Sequence, residues 1–143
     1  MSQSGVSPTP ECVDEFNKLK LNREHKYIIF KVSDDKKSIV VEDASAEKDW
    51  EVFSGKLRDA GGPRYAVYDV EYSLSSGEGT RNKITFIAWS PDDAGIRPKM
   101  LYASSKDALK SSLNGIGAEI QANDEDDIEW SSVVGKVSKG LAG

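Results

Sequence analysis

Apolar positions change period several times along the chain, and each change marks an element. Cys12, Phe16 and Leu19 recur at i, i+4 and i+7 behind Thr9-Pro10, an N-cap followed by a proline at the first helical position. A helix ending near Leu21 is predicted. The runs KYIIFKV and SIVVED are β-branched and aromatic, and the SDDKK between them makes a hairpin. In ASAEKDWEVFSGKL the spacing of Trp50, Phe53 and Leu57 is helical again, with Gly55 costing about 1 kcal/mol against alanine. RYAVYDVEY starts apolar on both faces and then alternates, Tyr68, Val70 and Tyr72 against Asp69 and Glu71. KITFIAW is a second two-faced run, and SLSSGEGT joins the pair as a hairpin. The stretch IRPKMLYASSKDALKSSLNG, Ile96 to Gly115, reads as a long helix with Pro98 near its start and Asn114-Gly115 as its stop. A crossover helix followed by IGAEIQA predicts a strand parallel to its predecessor. Trp130, Val133, Val134 and Val137 mark a final amphipathic helix. Residues 1–8, MSQSGVSP, have no periodicity and are expected to be a flexible arm, with 140–143 a loose tail.

Strands apolar on both faces need helices on both sides. The expected architecture is therefore an α/β (α+β) sandwich of one domain, residues 1–143. Its central mixed sheet of about five strands carries about four helices, shared between both faces.

Composition narrows the function classes. The 143 residues are 38% hydrophobic and 30% charged, with a formal net charge of −5. Such a chain is a poor candidate for the broad phosphate neutralisation that dominates nucleic-acid binding, so no nucleic-acid partner is expected. One cysteine excludes an internal disulfide, and no apolar run approaches the ~20 residues of a membrane span, which points to a reduced cytosolic or nuclear protein. One histidine and one cysteine cannot build a structural zinc site, and the acids from Asp124 to Glu129 lack the spaced ligands and central glycine of a calcium loop. They read as a solvated N-terminal turn of the last helix. SSGEGT is no P-loop, since no Gly-Lys-Ser/Thr opens a helix after it. His25 reads as a surface residue without a nucleophile partner, and Cys12 as a small core residue. A small acidic hydrolase using Asp69 and Glu71 would need both on a pocket wall, whereas their spacing only puts them on one strand face. Neither an enzyme nor a cofactor is expected.

Charge is uneven, however. Arg81 to Lys110 holds six Lys/Arg against three Asp, while Glu119 to Glu129 holds six acids and no base. On the long helix Lys106 and Lys110 fall about 20° either side of Lys99, and Met100 stands about 100° away among Ser104, Asp107 and Ser111. As a charge stripe alone this is a solvated face. With a flexible thioether beside it, it also reads as an adaptable contact surface for an acidic partner.

The words MSQSGV, YAVYDVEY, GTRNKITFIAWSPD and RPKMLYASSKDAL resemble the actin-depolymerising factor/cofilin family, its fungal members above all, from Ser4 to about Lys139. The resemblance implies the ADF-homology fold and a monomeric protein that binds monomeric and filamentous actin, preferring the ADP-bound form. It further implies filament severing and depolymerisation, in the cytoplasm and on the actin cytoskeleton. By the same resemblance the surface shared by monomer and filament comprises Ser4, Gly5, Arg97, Lys99, Met100, Lys106, Asp107 and Lys110. A filament surface comprises Arg81, Lys83, Lys136 and Lys139. Ser4 matches the family's regulatory serine, where a phosphate would add about −1.5 to −2 charge beside an acidic partner. Phosphoinositide headgroups would compete for the basic helix. The chain departs from the family pattern at Pro98, Ser111, Glu125 and Gly135. Lost charge at Ser111 and Gly135 leaves open a monomer-binding module that does not sever.

Overall fold

The computed structural model describes residues 6–73, 77 and 79–142. Its strands are β1 (Ser7–Pro8), β2 (Tyr27–Val32), β3 (Ser38–Ser45), β4 (Arg64–Ser73), β5 (Thr80–Trp89) and β6 (Ala118–Ala122). The helices are α1 (Pro10–Lys20), α2 (Trp50–Arg58), α3 (Ile96–Ser112) and α4 (Trp130–Ala142), with a 3-10 turn at Glu125–Ile128. One sheet runs in the order β1-β3-β2-β4-β5-β6. Both hairpins, β2/β3 and β4/β5, are antiparallel, and β6 lies parallel to β5 after the α3 crossover, as the patterning predicts.

Alternation along the central strands feeds two cores. Ile28, Phe30, Tyr65, Val67 and Phe86 pack with Cys12, Phe16 and Leu19 of α1 and Leu109 of α3. Tyr27, Ile29, Ala66, Tyr68 and Ile87 pack with Trp50, Phe53 and Leu57 of α2 and Val133 and Val137 of α4. Helices α1 and α3 therefore cover one face and α2 and α4 the other. In the second core Phe53 lies 4.9 Å, centroid to centroid, from each of Tyr27, Trp50 and Tyr68. Such aromatic pairs add about 0.5–1.5 kcal/mol each beyond their buried area. The Trp50 indole N–H donates to the carbonyl of Ile128 at 2.8 Å, tying α2 to the 3-10 turn.

Five local expectations are refined or revised. The sheet has six strands rather than about five, because Ser7–Pro8 of the expected arm pairs parallel with Ser38 and Ile39. Proline is tolerated there because β1 is an edge strand, where its missing N–H leaves no ladder bond unmade. Second, the short helix marked by Trp50, Phe53 and Leu57 is borne out as α2 and bounded at Trp50: β3 continues to Ser45, and Asp49 caps the helix by accepting from the Glu51 N–H at 3.0 Å. Third, the acids after Asn123 form a separate turn, with the Asp124 carboxylate accepting from the Asp127 N–H at 3.0 Å, before α4 begins at Trp130. Fourth, His25 is no plain surface residue: its Nε2 lies 2.7 Å from Glu15 Oε1, and Lys18 binds the other oxygen of the same carboxylate at 2.9 Å. Helix α4 continues through Ala142, into the segment expected to be a loose tail.

Candidate functional site

Helix α3 is held to the sheet by a narrow inner face. Leu109 and Ser105 are fully buried, and Leu101 and Tyr102 pack partly against the same core. The Tyr102 hydroxyl accepts from the Val32 N–H at 2.8 Å, and its carbonyl accepts from the Tyr65 hydroxyl. Burial raises the Tyr65 hydroxyl well above the ordinary tyrosine range, so it stays a donor at any physiological pH. These anchors fix the rotation of α3 and leave Ile96 and Met100 facing water at 74% and 65% exposure. Arg97, Ser104, Asp107 and Ser111 are exposed on α3 as well. An apolar pair on an outward ridge with charge around it has the composition of a contact surface rather than of a solvated face.

Three lysines flank that ridge, each engaged with a neighbouring element. Lys99 Nζ donates to the Asp92 carbonyl at 2.7 Å. Lys106 and Lys110 reach opposite oxygens of one carboxylate, Glu119 on β6, at 3.0 and 2.5 Å. Lys110, and after it Lys106, hold the Glu119 carboxyl below its ordinary value, and Glu119 raises Lys110 in turn. The turn from α3 into β6 requires glycine twice. Gly115 has φ +106°, and a Cβ on Gly117 would come 2.8 Å from Lys83 Cγ, whose stem lies over the backbone there.

The N-terminal segment approaches the same helix. The Val6 N–H donates to Ser105 Oγ at 3.1 Å, and the Thr9 N–H to the Ile39 carbonyl at 3.0 Å, so Val6, just before β1, lies against α3. Ser4 and Gly5, expected in the contact surface, lie outside the described residues. The second expected surface is placed in part. Arg81 is exposed on β5 opposite Tyr72, Lys83 is half-buried opposite Val70, and Lys136 is exposed on α4 with Asp127 3.9 Å away. Lys139 lies on α4 three residues beyond Lys136. Asp69 and Glu71 do border one open cleft with Arg23 and Lys48, but both Asp69 oxygens are committed, one to Asn82 Nδ2 at 3.2 Å and the other to Arg23 at 3.5 Å.

Sequence reasoning missed Ser105 and Glu119. Ser105 sits four residues from both Leu101 and Leu109, and a small polar residue on a core-facing meridian signals that something crosses it. Glu119 becomes visible only once β6 is paired with β5 beside α3.

A mixed sheet between two helical layers, with a long helix presenting an apolar and basic ridge, defines an ADF-homology actin-binding module, and the chain belongs to that family. Residues 5–138 match the family described as cofilin/tropomyosin-type actin-binding protein. Among its relatives, the cofilin of Gibberella zeae is 59% identical over an alignment of 152 positions that covers 99% of each chain. The cofilin of Schizosaccharomyces pombe is 48% identical over 97% of this chain and 99% of its own. A crystal structure of Streptomyces griseoflavus cofilin superposes with a TM-score of 0.88 at 41% identity, covering 95% of this chain and 99% of that one. Plasmodium berghei actin depolymerization factor 2 superposes at 0.80 with 28% identity, covering 96% and 99%.

Proposed function

We infer that this chain binds actin, as monomer and as filament, and drives filament turnover by depolymerisation, without covalent chemistry. The observation that carries this reading is the outer ridge of α3, where exposed Ile96 and Met100 stand among Arg97, Lys99 and Asp107 beside the docked N-terminal segment. Met100 and Ile96 supply the apolar centre of the contact, while the cations steer association with an acidic surface and fix register more than they add affinity. Arg81, Lys83, Lys136 and Lys139 form the second surface that engages a filament. Turnover follows from differential binding. A protein that prefers a minor conformation of the filament shifts the filament toward it, and breaks form where decorated and bare regions meet. Preference for ADP-bound actin, severing, and competition by phosphoinositide headgroups at the basic helix belong to the same proposal. So does a place in the cytoplasm, on the actin cytoskeleton, with access to the nucleus. No helix among the described residues is long and apolar enough to cross a membrane.

Co-sedimentation with actin filaments, with severing followed by microscopy on the same sample, tests the reading. Wild-type protein is expected to pellet with filaments and shorten them. Lys99→Ala combined with Lys106→Ala, checked for folding by thermal melt, is expected to lose most of that binding. Undiminished binding by the double variant would refute the role given to α3. Actin moved to the supernatant without decoration or shortening would point instead to a monomer-binding module.

A further inference from the structure

Lys99, Lys106 and Lys110 of α3 are each engaged in the unbound protein, and the residue that holds two of them lies on another element. Ile120 belongs to the core under α2 and α4, so strand alternation turns its neighbour Glu119 to the other face of the sheet. The register agrees, since Glu119 stands opposite Phe86, whose side chain lies in the α1/α3 core. There one carboxylate meets Lys106 at 3.0 Å and Lys110 at 2.5 Å, a like-charge pair at i, i+4 that it neutralises only in part. All three side chains keep about a third of their surface in water, at 33%, 28% and 32% exposure.

We propose that Glu119 is a built-in competitor for the acidic partner of α3. It occupies, from within the chain, the position that a partner's carboxylate must take to engage Lys106 or Lys110. This rests on the reading of α3 as the actin-contacting helix and adds a specificity device to it. An isolated acid gains nothing by exchanging with Glu119, because one carboxylate replaces another that is already tethered in place. A surface with several acids does gain, since it can occupy Lys106 and Lys110 separately and relieve their mutual repulsion. Glu119 thereby raises the threshold for every acidic surface, and raises it most for sparsely charged ones. The partial exposure of the pair matters, since a deeply buried ion pair would not open on the approach of a partner.

The test is filament co-sedimentation of the full-length chain at about 50 mM and about 300 mM salt, for wild type, Glu119→Gln and the Lys106→Ala/Lys110→Ala double variant. Glutamine keeps the shape of the side chain at an exposed position, so the fold is retained. Removing the competitor is expected to tighten Kd about two- to fivefold at low salt, the change that corresponds to releasing a partly exposed ion pair. The advantage should shrink at high salt, while the double lysine variant should weaken binding. If Glu119→Gln weakens binding as the lysine variant does, Glu119 orients the lysines and does not compete, and the proposal is overturned while the α3 reading stands. An unchanged Kd for Glu119→Gln beside a weakened lysine variant overturns it too. If the lysine variant binds like wild type, the α3 reading itself falls and takes the proposal with it.

Discussion

Replacing Ser105 by alanine separates what holds the N-terminal segment from what holds the core. Ser105 Oγ accepts the Val6 N–H at 3.1 Å and donates to the Leu101 carbonyl at 2.7 Å. The second bond is a local back-bond to a carbonyl already inside the helix, and its loss costs little. Losing the first leaves the half-buried Val6 N–H without its acceptor, at a cost of about 1 kcal/mol. Alanine returns up to about 0.5 kcal/mol through its helix propensity, so global stability should fall by only about 0.5 kcal/mol. The local effect is not offset. Amide exchange at Val6 should quicken about fivefold, the factor that corresponds to about 1 kcal/mol. The Thr9 amide, bonded to the Ile39 carbonyl at 3.0 Å, should not respond. Urea unfolding together with site-resolved exchange measures both quantities. Unaltered exchange at Val6, or equal acceleration at Val6 and Thr9, would refute the claim that Ser105 pins the segment to α3.

Other consequences are equally open to test. A Cβ added at Gly135 meets nothing within 4 Å, so Gly135→Ala should stabilise the protein by about 1 kcal/mol in urea unfolding; a loss of stability would mean the site is more crowded than its geometry. Lys18, and then His25, hold the Glu15 carboxyl below its ordinary value, so this group stabilises the fold above the unfolded pKa and loses that contribution as pH falls through the folded one. Glu15→Gln should therefore cost at most about 1 kcal/mol at pH 7, with Lys18 45% exposed, and the gap to wild type should close below about pH 4; a gap independent of pH would contradict the assignment. At the N-terminus, Ser4→Glu should weaken filament co-sedimentation by charge repulsion, and binding as tight as wild type would remove the physical basis for a phosphoserine switch.

The elements whose periodicity serves a large core were legible in the sequence. Cys12/Phe16/Leu19, Trp50/Phe53/Leu57 and Trp130/Val133/Val137 each mark the helix observed, the two-faced runs became the central strands β4 and β5, and the β-branched run KYIIFKV became β2. Elements stabilised by a few polar contacts were not. β1 is two residues long and owes its place to backbone bonds with β3 and to Ser105, neither of which leaves a hydrophobic period. The exposed position of Met100 followed from helical geometry alone. What helical geometry could not reveal is that Lys106 and Lys110 point at a carboxylate nine or more residues ahead, because that encounter depends on β6 returning alongside β5. A charge stripe drawn on one helix shows where cations lie and is blind to what a neighbouring strand brings to them.

The central claim is that the α3 ridge and the adjoining N-terminal segment meet actin. Site-resolved amide exchange of this protein, alone and saturated with monomeric actin, tests it most directly. Protection should appear at Val6 and over the first turns of α3, from Ile96 to about Asp107, with α2 on the opposite face of the sheet unchanged. Protection of α2 with α3 unaffected would contradict the account.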